Sequence, residues 1–148
     1  TARARRRRRA WWASGLAAAA AAVVALVVVF TPAFAPGRAA EVVALENVTD
    51  APLSATVELA DVAWGTRIEM TCRYDEAPYP DVPADGGPYV LGVVAADGTT
   101  SELSTWRARP GTTARLGAGT ELAREDIAAI EVRALTTQKV LLRAAIAE

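Results

Sequence analysis

From Trp11 to Phe30 the chain carries no charged residue, and it is rich in alanine and valine from Leu16 onward. An α-helix rises about 1.5 Å per residue, so roughly 20 apolar residues cross the ~30 Å hydrocarbon layer of a bilayer. The stretch therefore predicts a transmembrane helix over residues 11–31. Its anchoring side chains are Trp11, Trp12, Leu16, Val23, Val24, Leu26, Val27, Val28, Val29 and Phe30. Arg3 and the run Arg5, Arg6, Arg7, Arg8 and Arg9 stand just before it, and Thr31-Pro32 and Ala35-Pro36-Gly37 break the chain just after it. Arginine clusters stay on the cytoplasmic side, which predicts a single-pass plasma-membrane protein with its N-terminus inside and its C-terminal domain outside. Arg5 to Arg9 are then placed to contact anionic lipid, at about 1 kcal/mol per charge, and the two tryptophans suit the inner headgroup boundary. A run held at the lipid surface gives no reason to expect nucleic-acid binding.

The same stretch is to be weighed against a cleavable signal peptide, because Ala33-Phe34-Ala35 fits the small-x-small cleavage pattern. Against this, the apolar run exceeds the roughly 7 to 15 residues of a signal core, and Pro36 would follow the cut. Alanine is close to neutral in bilayer transfer, so insertion is only modestly driven, and Pro32 removes a backbone donor where the helix would end.

The 148 residues, 22% charged and 52% hydrophobic, accommodate one span and one domain. The division predicted is a polybasic segment at 1–10, the span at 11–31, a linker at 32–40 and an extracytoplasmic domain at 41–148. Charge is distributed unevenly. Beyond residue 36, ten basic side chains stand against all seventeen acidic ones, so the predicted outer domain is acidic and the tail before the span is basic. Histidine is absent, which removes histidine-dependent triads and the common zinc arrangements. Cys72 is alone, so no intrachain disulfide can form, and its place in an alternating run predicts a buried small hydrophobe.

From Glu41 onward the chain changes to short runs of Val, Ile, Leu and Thr separated by Gly, Pro and Asp clusters, the pattern of an all-β domain. Arg67 to Tyr74 shows the cleanest period of two, with Ile68, Met70, Cys72 and Tyr74 on one side and Arg67, Glu69, Thr71 and Arg73 on the other. Further strands are predicted over 41–47, 54–60, 89–95, 101–107, 112–116, 129–135 and 139–146, with one helical turn over 122–126. Asp97-Gly98 between two strand-like runs predicts a tight hairpin. Strands at this spacing, each with one apolar face, predict an antiparallel two-sheet β-sandwich of Ig-like type after the transmembrane helix.

Candidate sites are few. The loop from Asp75 to Pro88 gathers Asp75, Glu76, Asp81 and Asp85 with Tyr79 among prolines and is a candidate partner loop, with a solvated, proline-stiffened connection as its plainer reading. Its carboxylates lack the spacing of a calcium loop. Trp64 and Trp106 are expected as core anchors, with an exposed binding face as the alternative. Asn47-Val48-Thr49 matches a glycosylation sequon, a pattern common by chance. No catalytic residue, cofactor or metal ligand is predicted.

The stretches Trp64 to Tyr74, Tyr89-Val90-Leu91, Ala96-Asp97-Gly98, Ser104 to Gly111 and Asp126 to Arg133, in this order after a single span, resemble the outer domain of membrane-anchored bacterial anti-sigma factors. The resemblance implies a three-part regulator: a cytoplasmic helical domain that holds a sigma factor, often with a His/Cys zinc motif, then a span, then an outer sensory domain. Cleavage of that outer domain leads to intramembrane proteolysis and release. The residues before Trp11 hold no counterpart of the cytoplasmic domain, so the sigma-binding part is expected upstream of Thr1 or on a separate polypeptide. The function expected is thus the non-enzymatic sensory and anchoring part of such a regulator. Its partners would be the bilayer, another membrane or envelope protein and, through the missing domain, a sigma factor. The alternative is a small accessory subunit whose tethered sandwich packs against a larger envelope complex.

Overall fold

A computed structural model describes residues 39–76 and 85–146. The chain divides into two units, Thr1–Ala35 and Pro36–Glu148, and all the described residues belong to the second. They form eight strands in chain order: β1 (Glu41–Asn47), β2 (Leu53–Val62), β3 (Gly65–Tyr74), β4 (Gly87–Ala95), β5 (Thr100–Ala108), β6 (Thr113–Thr120), β7 (Ile127–Ala134) and β8 (Val140–Ala145). A 3-10 turn at Arg124–Asp126 precedes β7.

Alternation decides which side of each strand is buried. Along β2 and β3 every second side chain is buried, and Leu59, Ile68 and Met70 are among the largest fully buried ones. Leu91, Ile127, Ile130 and Leu142 of the other strands join them in one core. Each such Leu or Ile contributes about 1.5–3 kcal/mol by leaving water. Cys72 is fully buried among them.

Two expectations are corrected. The strands do not form a separate pair of sheets. All pairings are antiparallel and link the strands into one sheet of order β5-β4-β7-β8-β1-β2-β3-β6. The reason lies in β1, whose Glu41 to Leu45 pair with β2 while Glu46 and Asn47 pair with β8. That shared strand joins the two halves, and the sheet curls until its end strands β5 and β6 lie near each other without a ladder, giving a nearly closed, barrel-like form. Nor does the described architecture include the expected N-terminal helix. It is all-β, and among the described residues no helix is long and apolar enough to cross a membrane. Residues 11–31, on which that span was predicted, lie outside the described residues.

The predicted hairpin is present between β4 and β5. Gly98 takes a φ of 87°, a conformation open to glycine at little cost, and Ala95 N–H donates to the Thr99 carbonyl at 2.8 Å. Thr99 N–H donates to Asp97 Oδ1 at 2.8 Å, and this bond holds the exposed Asp97 carboxyl below its ordinary pKa. The contribution of that bond to stability is therefore present above the usual carboxylate range and lost as pH falls through the lowered value. Asn47, the sequon asparagine, turns its side-chain amide inward to the carbonyls of Ala51 and Leu53. A glycan would leave that nitrogen a single N–H, so it could not keep both bonds.

An aromatic cluster closes one end of the core. The rings of Tyr74 and Tyr89 lie 4.9 Å apart, those of Tyr89 and Trp106 stack at 6.0 Å, and Trp106 Nε1 donates to the Tyr74 hydroxyl at 2.8 Å. Trp106 thus anchors the core, as predicted. Burial pushes the Cys72 thiol up to about 11, against a smaller lowering by its hydrogen bond with Tyr74. At pH 8 only about one thiol in a thousand would be thiolate. Iodoacetamide is therefore expected to leave Cys72 unmodified in the folded protein and to alkylate it promptly in guanidinium. Rapid native-state labelling, read by mass spectrometry, would contradict its place in the core.

Candidate functional site: an acidic cleft beside an open strand edge

Trp64 does not join the core. It sits in the two-residue turn between β2 and β3 and remains 59% exposed, which corrects its predicted role. Gly65 follows it at a φ of 139°, and a side chain there would collide with the Thr120 carbonyl, so glycine lets the turn close directly onto the end of β6. Thr66 Oγ1 fixes the approach by donating to the Leu122 carbonyl at 2.9 Å. The indole then lies across Gly119, with its Cη2 2.6 Å from where a Cβ would stand. The ring is thus held against the backbone at Gly119 while most of the residue stays in solvent.

The turn and the segment after β6 enclose an open cleft of about 460 Å³ lined by Asp61, Trp64, Glu121, Arg124 and Glu125 among others. Arg124 is largely buried and pairs with the Glu41 carboxylate, so its charge is already countered. Asp61, Glu121 and Glu125 have no ion pair or hydrogen bond from their side chains among the described residues. An indole face beside uncompensated carboxylates attracts a cationic side chain, by about 0.5–1 kcal/mol for the ring alone at an exposed site. The arrangement suits protein recognition. Among the described residues no group of His, Cys, Asp and Glu side chains could hold a metal ion.

The predicted partner loop is only partly described. Tyr79 and Asp81 lie outside the described residues. Asp75, Glu76 and Asp85 are exposed at the two ends of the loop, and both ends rest on the turn between β5 and β6. Gly111 N–H reaches the Asp75 carbonyl at 3.2 Å, Arg109 Nε donates to the Asp85 carbonyl at 3.3 Å, and Glu76 lies over Gly111. The structure brings none of these carboxylates into the cleft. The anchoring residues Trp11 to Phe30 and the arginines Arg5 to Arg9 also lie outside the described residues.

Sequence reading missed Asp61, Glu121 and Glu125. Asp61 is far in the chain from Glu121 and Glu125, and it reaches their side of the domain only because β3 pairs with β6 in the register Thr66↔Thr120. The available signal was Gly117-Ala118-Gly119, a strand with two bare outward positions onto which neighbouring side chains can fold.

The chain is a homologue of proteins named anti-sigma factors, a regulatory, non-enzymatic class. The particular relatives are proteins named anti-sigma-L factor RslA from three strains of Mycobacterium tuberculosis, each 36% identical over 110 residues. The match covers 74% of this chain and 42% of each relative, so the chain spans less than half the length of these curated proteins. No family model matches the chain. No solved structure matches it.

Proposed function

We propose that this chain is the outer, sensory part of an anti-sigma-like regulator. In this reading residues 1–40 hold it at the plasma membrane through the apolar stretch from Trp11 to Phe30, with Arg5 to Arg9 on the cytoplasmic side. Residues 41–148 lie outside the membrane, and a sigma factor is the partner of a cytoplasmic part that precedes Thr1 or belongs to a separate polypeptide. The identity to anti-sigma-L factors over 110 residues is the observation that carries the reading. The charge asymmetry supports the orientation, since arginine clusters remain inside. A second reading, an accessory subunit seated on a larger envelope complex, draws on the exposed Trp64 and its acidic cleft.

The arrangement is tested by cysteine labelling in intact cells with a membrane-impermeant maleimide. Gly98 is exposed at the hairpin tip, and nothing lies within 4 Å of where its Cβ would stand. Gly98→Cys is expected to label from outside and Ala4→Cys only after lysis. The reverse pattern would overturn the orientation, and a soluble product beginning at Pro36 would make the apolar stretch a signal peptide.

A further inference from the structure

β6 ends the sheet, and no strand pairs with its outer edge, which carries a single charge, Arg115. Thr113–Thr120 contains no proline or lysine, and its outward positions include Gly117 and Gly119. Native sheets normally block such an edge with charge, proline or a covering segment, because the free backbone groups are a template for another strand. Which groups are free follows from the β3–β6 register. Tyr74 N–H donates to the Thr112 carbonyl at 2.9 Å, and that pairing continues through Cys72↔Ala114, Met70↔Leu116 and Ile68↔Ala118. In an antiparallel ladder alternate residues turn both backbone groups to the same neighbour. The N–H and C=O groups of Thr113, Arg115, Gly117 and Gly119 therefore point to the open side. The other end strand, β5, approaches β6 but shares no ladder with it.

Charge is laid out along the same edge. The Glu69 carboxylate folds across Gly117, with Oε2 3.1 Å from where a Cβ would stand. Neither Glu69 nor Arg115 has an ion pair or hydrogen bond from its side chain among the described residues.

We propose that a second copy of this chain adds its own β6 antiparallel to this edge, about a two-fold axis at Leu116. In that register Arg115 of each copy stands opposite Gly117 of the other, and the absent side chain leaves Glu69 within reach of the incoming guanidinium. Two symmetric Arg115–Glu69 pairs result. Leu116 meets Leu116 across the axis and Ala114 meets Ala118, so residues of the same face stay together. Shifting the register by two residues toward the start of β6 would set Arg115 against Arg115. Shifting it as far the other way would carry Arg115 past Glu69 to Gly119.

The test uses the full chain in detergent micelles, by sedimentation across micromolar concentrations, with circular dichroism to verify that each variant is folded. The wild type is expected to dimerise. Arg115→Glu and Glu69→Arg are each expected to weaken the dimer about tenfold or more, and the double swap to restore it, as for a specific close charge pair. Under mild oxidation Leu116→Cys is expected to form an intermolecular disulfide and Ala118→Cys to form none, because only residue 116 meets itself on the axis. A monomeric wild type, a double swap no tighter than the single variants, or equal cross-linking by both cysteines would overturn the proposal.

Discussion

Ile68→Asp is expected to unfold the domain. Ile68 is fully buried in β3, paired with Leu59 of β2 on one side and Ala118 of β6 on the other. Its cross-strand partners are apolar, and the inward hydroxyls of Thr66 and Tyr74 are already bonded to the Leu122 carbonyl and Trp106, so the aspartate must stay charged and desolvated or be protonated at several kcal/mol. A domain of this size is stable by only about 5–15 kcal/mol, and the lost aliphatic packing adds to the penalty. Circular dichroism at 25 °C should report loss of the strand signal. Arg67→Asp, one position away on the exposed face, should retain it. An Ile68→Asp protein that melts within a few degrees of the wild type would mean that β3 does not carry the core.

Glu131→Ala is the second large effect. Glu131 is only 2% exposed, yet it lies on the outer face of the sheet, opposite Gly92 on β4 and Arg143 on β8. Arg133 Nε donates to its Oε2 at 2.8 Å, and Arg143 bonds the other oxygen. The Arg133 guanidinium packs beside Gly92, its carbon 3.8 Å from where a Cβ would stand, an ordinary contact distance. Removing the carboxylate leaves the Arg133 side chain, 14% exposed, without its counter-charge. Breaking a buried pair from one side typically costs about 3–5 kcal/mol. Arg143 is 49% exposed and can turn to water, so the expected loss lies at or below that lower bound, about 2–3 kcal/mol. Glu131→Gln keeps the shape and some of the hydrogen bonding and should fall between. Urea unfolding midpoints measure the series, and a Glu131→Ala change under about 0.5 kcal/mol would make the triad a surface ornament.

Much of this domain could be read from the sequence because alternation is a local property. β1 has the predicted bounds, and the other strands differ by a few residues at their ends. The inward set Ile68, Met70, Cys72 and Tyr74 is the buried set. Sheet closure could not be read, since a sandwich and a barrel both require one apolar face per strand. The difference rests on β1 being shared between β2 and β8. Trp64 was misplaced for a related reason: a large aromatic predicts burial, but the cover it finds is the bare backbone of Gly119, which leaves most of the residue exposed. The buried glutamate was equally hidden. In Ile127–Ala134 it reads as an outward polar position, and only the neighbouring strands supply Gly92 and Arg143.

The most direct measurement of the regulatory reading is transcript sequencing in the native host after codons 39–148 are deleted from the chromosomal gene. Loss of the β domain from an anti-sigma-like regulator should deregulate one promoter class together, with the level of the corresponding sigma factor protein initially unchanged. Restoring the codons should return those transcripts to their starting level, and codons carrying Ile68→Asp should fail to do so. Transcript profiles that show no coherent promoter class between deletion and wild type would contradict the reading.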